Sequence, residues 1–307
     1  MLVVEIPGPW PSDIGEAEPF RSLRGTAQAT MTGADGRIWR PQGVLPSDPT
    51  AGVRVMAHEL AHSGVGPFEL REWLLPPGSH EQQVRLCMAL LDADDAAVAR
   101  FSAYRDDPAP GTVDFLCCTH GTRDVCCGGS GTSLHAAVAS ALRAQPVGGF
   151  RLWRSSHAGG HRFAPTGISF PEGVSWSHLG ADSLLAVARR DPAPERLAGN
   201  VRGAVCVRGP HAQVADREGF RLYGWDWFAS PREVTLVSEA TDAGATTVEV
   251  SAVLLGDRRV GVRVVVETAG RIPQPPCGIA DPPEVPEEPV WRVAESAPLH
   301  SSGGAAQ

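Results

Sequence analysis

Two segments of the sequence decide the fold, and they read Phe115-Leu116-Cys117-Cys118-Thr119-His120-Gly121-Thr122-Arg123-Asp124-Val125-Cys126-Cys127-Gly128 and His157-Ala158-Gly159-Gly160-His161. The first segment begins in a predicted buried strand, Val113 to Cys118, continues through a polar loop, and places Cys127 at the start of a helix. The two histidines follow another strand on a loop whose glycines permit the turn that aims both imidazoles at one point. Two thiolates and two imidazoles suit a zinc ion or a 2Fe-2S cluster with Rieske-like ligation, and the spacing does not choose between them.

The predicted elements after residue 109 follow the order strand, helix, strand, strand, strand, helix. The helices are predicted over Ser133 to Leu142 and Asp182 to Arg189, and the last two strands form a hairpin across Pro171-Glu172-Gly173. This order is typical of an α/β layer architecture of thioredoxin type.

The region before residue 109 has a similar order of elements. Strands predicted over Val53 to Ala57 and Phe68 to Leu75 flank the segment His58-Glu59-Leu60-Ala61-His62, and a helix from Ser79 to Phe101 follows, with a break near Asp92 to Asp95. We therefore predict that the region is a degenerate copy of the cysteine-bearing unit. It has no cysteine ahead of that helix, so it cannot bind the same group.

The chain is thus predicted to be an α/β protein of four parts. They are a degenerate thioredoxin-like unit (1–108), a thioredoxin-like ferredoxin unit (109–228), a small antiparallel β extension (229–272) and a mostly disordered tail (273–307). The extension is predicted from runs that alternate apolar and polar residues, and the tail from Pro, Glu, Ser and Gly without periodicity.

Composition excludes several classes of function. The formal net charge is -8, and all 27 basic residues are arginine without a basic stripe, so a nucleic-acid partner is not expected. The chain has no run of about 18 apolar residues and no signal-peptide pattern at its N-terminus, so we expect no membrane and a cytoplasmic location. Four of the seven cysteines crowd into the first quoted segment. In a reducing compartment, such clustered thiols indicate metal or redox chemistry.

Two strings resemble the signatures of a known family. Cys118-Thr119-His120-Gly121-Thr122-Arg123-Asp124 and Ser156-His157-Ala158-Gly159-Gly160-His161-Arg162-Phe163-Ala164 are similar to motifs of the sucrase/ferredoxin-like proteins, and the resemblance runs from the Pro-Gly-Pro-Trp near the N-terminus to about residue 225. In the bis-histidine branch of this family, thioredoxin-like ferredoxins hold a 2Fe-2S cluster through a C-x8-C pair and an H-x-x-x-H pair. The resemblance implies that Cys118 and Cys127 are thiolate ligands and that His157 and His161 are imidazole ligands.

Two departures bear on this ligand set. Related ferredoxins have a cysteine just before the first histidine, where this chain has Ser155 and Ser156. The missing thiols strengthen the histidine assignment. Cys126 leaves a C-x7-C register open, although the resemblance favours Cys127.

A cluster with these ligands implies one-electron chemistry. Two ferric ions, two sulfides and two thiolates sum to zero charge, so an added electron costs less than in an all-cysteine cluster, and such clusters have potentials of about -150 to +300 mV. Each ligated imidazole keeps one N–H, and where this edge reaches solvent, electron transfer is expected to be coupled to proton transfer. We expect an electron carrier or reductase component whose partner is a redox protein or a small-molecule electron donor or acceptor.

The remaining polar residues of the first segment are expected around the ligands. Arg123 and Asp124 are predicted to pair with each other, the alternative being that Arg123 offsets negative charge on the reduced cluster. His120 is predicted to be either a hydrogen-bond donor behind the ligands or a residue that caps the backbone. Cys126 is expected beside the ligands. The alternative is that Cys117 and Cys126 are buried small hydrophobic side chains and that the histidines are surface loop residues.

Two other hypotheses stay open. The first is a structural zinc protein that uses the same four ligands. The second is a zinc hydrolase, because His58-Glu59-Leu60-Ala61-His62 matches the H-E-x-x-H motif, in which two histidines one helical turn apart hold zinc. We rank it last, because Ser63-Gly64-Val65-Gly66-Pro67 would end a helix at once and the preceding residues predict a strand. A sucrase is not supported, since no paired-carboxylate motif is present.

Overall fold

The computed structural model describes residues 1–24, 31–60, 64–239, 245–254, 258–273 and 285–299. The chain forms two compact units, one of Met1–Glu59 with Glu69–Gly167 and the other of Leu60–Phe68 with Ile168–Gln307. The predicted boundaries after residues 108 and 228 fall inside these units. No helix in the described ranges has the length and hydropathy to cross a lipid bilayer.

The first unit is built around a mixed sheet. Its strands are β1 (Leu2–Glu5), β2 (Met31–Thr32), β3 (Ile38–Trp39), β4 (Pro41–Val44), β5 (Val53–Leu60), β6 (Phe68–Leu75), β7 (Val113–Cys118) and β8 (Phe150–Ser155). Six of them lie side by side in the order β7-β8-β4-β1-β5-β6, while β2 and β3 pair separately. β7 and β8 are parallel, and so are β1 and β4. β1, β4 and β7 are buried along their whole length, as expected for strands covered on both faces.

The described residues of this unit also form four α-helices, namely α1 (Phe20–Arg24), α2 (His80–Leu91), α3 (Asp95–Ala99) and α4 (Thr132–Ala144). The predicted break in the long helix is present, because the chain leaves α2 after Leu91 and Asp94 caps α3 by accepting a hydrogen bond from the Ala97 amide at 2.9 Å. The buried side of α2, including Leu86 and Leu90, packs into the apolar core of this unit. The structure is therefore mixed α/β.

The second unit contains seven strands and three helices within the described residues. They are β9 (Gly167–Phe170), β10 (Val174–Trp176), α5 (Ala181–Ala188), β11 (Val201–Ala204), α6 (Pro210–Tyr223), α7 (Trp225–Phe228), β12 (Arg232–Glu239), β13 (Ala245–Leu254), β14 (Arg258–Pro273) and β15 (Glu287–Leu299). β10 pairs antiparallel with β11, and β12 to β15 form an antiparallel sheet in chain order. The helix α6 packs against β13 and β14.

Within the predicted tail, 273–307, the described residues Glu287–Leu299 form the strand β15. This strand pairs antiparallel with β14, and Arg292 forms an ion pair with Glu267 of β14. Most side chains of β15 are exposed, so the strand is held mainly by its backbone hydrogen bonds to β14. For the same reason its sequence has no apolar periodicity that would predict a strand. Of the predicted tail, the structure describes Pro273 and residues 285–299. The other residues, including Cys277, lie outside the described ranges.

Candidate metal centre

Cys118 and His157 lie near each other because two parallel strands end at the same edge of the sheet. Cys118 is the last residue of β7 and is paired in register with Ser155, the last residue of β8. The amide of Thr119 donates to the Ser155 carbonyl at 2.9 Å, which keeps the chains together just beyond the strands. His157 follows two residues later, so its backbone begins beside the cysteine.

Glycines bring Cys127 to the same place. Cys127–Gly131 forms a π-helical turn that leads into α4, a local irregularity frequent at functional sites. A side chain at Gly131 would lie 1.9 Å from the Cys118 carbonyl oxygen, and one at Gly128 would lie 2.5 Å from the Gly121 Cα. Since only glycine has no Cβ, these positions allow the helix start to touch the end of β7.

The histidine loop turns through two left-handed residues. Gly159 has φ 90° and Gly160 has φ 69°, a region that glycine enters without steric cost. His161 then begins a 3₁₀ turn, His161–Phe163, and is carried back toward the cysteines. The Cys126 thiol donates to the His161 carbonyl oxygen at 3.4 Å, which ties this loop to the start of the helix.

Three of the four predicted ligands form one compact group. The ligand atoms of Cys118, Cys127 and His157 all lie within 4.8 Å of one another, and both cysteines are buried. Hydrogen bonds from Cys127, from the His157 side chain and from the backbone amides of Ala158 and His120 lower the pKa of Cys118 against the opposing effect of burial. The same contact with Cys118, together with burial, raises the pKa of Cys127. These donors favour the thiolate form of Cys118 over its thiol form.

Asp124 faces both histidines. Its Oδ1 accepts a hydrogen bond from Nδ1 of His161 at 2.8 Å, and its Oδ2 lies 2.8 Å from Nδ1 of His157. The second contact lacks hydrogen-bond geometry, so Asp124 Oδ2 and His157 Nδ1 are buried without a hydrogen bond among the described residues. His161 thus lies beside the compact group rather than in it, joined through a shared carboxylate.

The predicted pairing of Arg123 with Asp124 is wrong. The Arg123 guanidinium donates to the Ser12 carbonyl oxygen at 3.1 Å, while Asp124 is turned inward to the histidines. Adjacent residues on this loop point in different directions, so neighbours in sequence do not meet. The structure gives Arg123 a backbone acceptor in the N-terminal segment instead.

His120 holds the backbone of the site. Its Nε2 donates to the Pro11 carbonyl oxygen at 2.8 Å, and its Nδ1 accepts from the His157 amide at 3.1 Å. The Trp10 ring meets the imidazole edge-on, with centroids 5.4 Å apart. Burial lowers the pKa of His120. Of the two predicted roles, the backbone role is the one that these contacts describe.

The sequence did not predict which residues of the N-terminal segment contact the site. Trp10 packs on His120, and its carbonyl oxygen accepts from Thr122 Oγ1 at 2.7 Å. The signal available in the sequence was the Pro-Gly-Pro-Trp string, which belongs to the resemblance but carries no metal ligand. Its packing role becomes visible only in the folded chain.

The sequence model of the sucrase/ferredoxin-like family matches residues 1–201, about two thirds of the chain and all of the site. The chain belongs to this family. No curated protein and no solved structure matches the chain. The family match ends as β11 begins, so the antiparallel sheet of β12 to β15 lies beyond it.

The family name includes a sucrase, but the residues of the site do not match those that hydrolyse glycosidic bonds. Glycoside hydrolysis usually needs two carboxyl groups flanking the bond that is cleaved. The segments 118–131 and 156–165, which are described throughout, contain Asp124 as their single carboxylate. That carboxylate faces the histidines, so we base no proposal on the sucrase part of the family name.

The described part of the H-E-x-x-H segment, His58 to Leu60, lies on a strand and not on the helix that a peptidase needs. His58 and Glu59 lie on the strand β5, and His62 lies outside the described residues. His58 is buried, which lowers its pKa to about 3. Glu59 forms ion pairs with Arg37 at 2.8 Å and with Arg71. A buried histidine on a strand and a carboxylate paired with two arginines do not make a zinc-bound water and a general base.

Replacing Asp124 tests its role in this family member. Asp124→Asn removes the charge that both Nδ1 atoms face, and an outer carboxylate of this kind is typically worth about 10- to 100-fold in metal affinity. We expect that loss in a competition titration of bound metal against a chelator. Asp95→Asn, at a side chain 93% exposed, is the matched control and should bind like the unmodified protein. Equal metal affinity in Asp124→Asn would show that the carboxylate does not position the histidines.

Proposed function

We propose that the protein is a one-electron carrier that binds a single 2Fe-2S cluster through Cys118, Cys127, His157 and His161. The observation that carries the proposal is the meeting of Cys118, Cys127 and His157 within 4.8 Å. Membership of the sucrase/ferredoxin-like family supports the ferredoxin part of it. The proposal includes a thioredoxin-like arrangement for the ferredoxin region and a degenerate copy before it.

The donor set fits such a cluster. Thiolates and imidazoles are the ligands of histidine-ligated 2Fe-2S centres, and when bound the cluster takes up and releases one electron. Nδ1 of His157 and Oδ2 of Asp124 are buried without a hydrogen bond but lie 2.8 Å apart, so a bound group that reorients the imidazole would let these two atoms satisfy each other. A carboxylate at Nδ1 leaves Nε2 as the nitrogen for the metal.

Exposure differs between the two kinds of ligand. Cys118 and Cys127 are at most 1% exposed, whereas the His157 and His161 side chains are 22% and 25% exposed. The thiols therefore lie inside and the imidazoles reach the surface. We propose that a redox partner, either a protein or a small molecule, exchanges electrons at this imidazole edge.

The visible spectrum of protein purified without air tests the proposal. A 2Fe-2S protein is expected to be reddish brown, to bleach with dithionite, and to contain about two iron and two sulfide per chain. A colourless protein with one zinc per chain would contradict the proposal and favour a structural zinc protein with the same ligands.

The reduction potential is expected to fall as pH rises. Each ligating imidazole keeps a proton on the nitrogen that faces Asp124, and an oxidised metal makes that proton more acidic. The limiting slope is about 59 mV per pH unit for each proton released per electron. Redox titration across mildly acidic to strongly alkaline pH measures it. A constant potential over that range would remove proton coupling from the proposal.

A further inference from the structure

A pocket of about 520 Å³ opens along β8 in the first unit. Its origin is the point where β4 leaves β8. Val44 pairs with Ser155, and the Leu45 amide donates to the Arg154 carbonyl oxygen at 2.9 Å. Pro46 comes next and has no N–H, so the ladder stops there and the chain turns away from the strand. The gap left beside β8 is the pocket.

Two of the three arginines that line the pocket are already neutralised. Arg151 pairs with Asp114 at 2.7 Å and with Glu72 at 2.8 Å, and Arg54 pairs with Glu72 and with Asp106. Glu72 and Asp114 are at most 1% exposed. These two guanidinium groups are therefore fixed by carboxylates of the chain itself.

Arg154, the third arginine, has no such partner. Its guanidinium makes no ion pair within the described residues, and its Nε is buried without a hydrogen bond. A buried donor on a charged group is costly when it has no acceptor. The planar guanidinium fork matches the oxygens of a carboxylate or a phosphate group.

The pocket is larger than a bare anion needs, and much of its wall is apolar. Leu45, Pro46, Leu152 and Trp153 contribute to the lining beside Arg154. Pockets of this size that combine apolar walls with a few polar groups, here Arg154 together with Ser47 and His135, are typical of sites for small organic ligands. The chain therefore offers one anion anchor and a surface for an apolar body.

We propose that this pocket binds a small organic anion, with its carboxylate or phosphate group on Arg154 and its apolar body against Leu45, Leu152 and Trp153. The site is separate from the metal ligands, although Arg154 lies on the strand that leads to His157. The proposal does not depend on which metal group the ligands hold.

Calorimetric titration of the full chain with four probes tests it. Benzoate and phenyl phosphate carry the anion and the apolar body, inorganic phosphate carries the anion alone, and phenol carries the ring alone. We expect the two aromatic anions to bind more tightly than inorganic phosphate and phenol. The aromatic anion that binds with the higher affinity shows whether the pocket prefers a carboxylate or a phosphate ester.

Arg154→Gln should weaken binding of the aromatic anions about tenfold to a hundredfold, the range for loss of a hydrogen bond to a charged group. Arg85→Gln, at an arginine 69% exposed on α2, is the matched control and should bind as the unmodified protein does. Leu45→Trp leaves Arg154 in place but fills the pocket, and should also lower the affinity. This second variant decides the matter where Arg154→Gln does not fold.

Three results would overturn the proposal. The first is undiminished binding of the aromatic anions to folded Arg154→Gln. The second is undiminished binding to Leu45→Trp, and the third is no binding of either aromatic anion to the unmodified protein at millimolar concentration.

Discussion

Cys118→Ser and Cys127→Ser variants are expected to be purified with less than about a tenth of the iron of the unmodified protein and without its visible absorption. Each change replaces a thiolate by a hydroxyl, which is a poor ligand for iron in such clusters. The two sulfur atoms lie in one buried group with His157, and the described residues place Cys126 against the His161 carbonyl oxygen instead. Iron and sulfide analysis with visible spectroscopy measures the effect.

Cys206→Ser is the matched control for these variants. Cys206 belongs to the second unit and is not one of the proposed ligands, so its replacement should leave iron content and spectrum unchanged. Full iron occupancy in Cys127→Ser would move the second thiolate to Cys126. Full occupancy in Cys118→Ser would remove the proposed site altogether.

Asp216→Ala is expected to lower the free energy of unfolding of the second unit by about 3 to 5 kcal/mol. Asp216 and Arg232 are both fully buried, and Asp216 Oδ1 accepts from Arg232 Nε at 2.8 Å and from Trp227 Nε1 at 2.9 Å. Removing the carboxylate leaves a buried guanidinium without its counter-charge, which is the costly way to break such a pair. Denaturant unfolding followed by tryptophan fluorescence measures the change.

Two variants make this result specific. Asp226→Ala changes an exposed residue of the neighbouring α7 and should shift stability by less than about 0.5 kcal/mol. The double variant Asp216→Leu with Arg232→Met removes both charges and should recover part of the loss, because no unpaired charge remains. Unchanged stability in Asp216→Ala would mean that the ion pair does not hold this unit together.

Strands with strong local patterns were predictable from the sequence. β6 and β7 have the predicted bounds, Phe68 to Leu75 and Val113 to Cys118. Both are rich in apolar and aromatic residues that favour extended backbone whatever they pack against. α4 extends only slightly beyond the predicted helix, for the same reason of local pattern.

β4 was missed because its sequence, Pro41-Gln42-Gly43-Val44, has no strand pattern. Its conformation depends on partners far along the chain. The buried Gln42 side chain donates to the Ser156 carbonyl oxygen at 2.7 Å and to its Oγ at 2.8 Å, and a side chain at Gly43 would lie 2.8 Å from Ile14. A polar residue and a glycine therefore occupy an interior strand because the fold satisfies them there.

The apolar residues of Val205 to Arg208 predict a further strand there, four residues later in the chain than the strand in the structure. The strand is β11, Val201–Ala204, and it includes Gly203 with φ 114°. A side chain at Gly203 would lie 2.8 Å from Gln213, so glycine is needed where α6 crosses the strand. Because glycine lowers the apparent strand propensity of Val201–Ala204, the more apolar residues that follow give the stronger strand signal in the sequence.

The sequence by itself determined the inventory of the site: one pair of cysteines at the end of a strand, a second pair at the start of a helix, two histidines on a glycine loop, and the elements that carry them. Residue type and local periodicity suffice for this, because both act over a few neighbouring residues. Only the tertiary structure decided which of these side chains meet. The parallel register of β7 and β8 and the contact of Gly121 with Gly128 bring Cys118, Cys127 and His157 together, and they turn Asp124 away from its neighbour Arg123 toward both histidines. Contacts between residues so far apart in the chain depend on packing and backbone geometry, which no local pattern records.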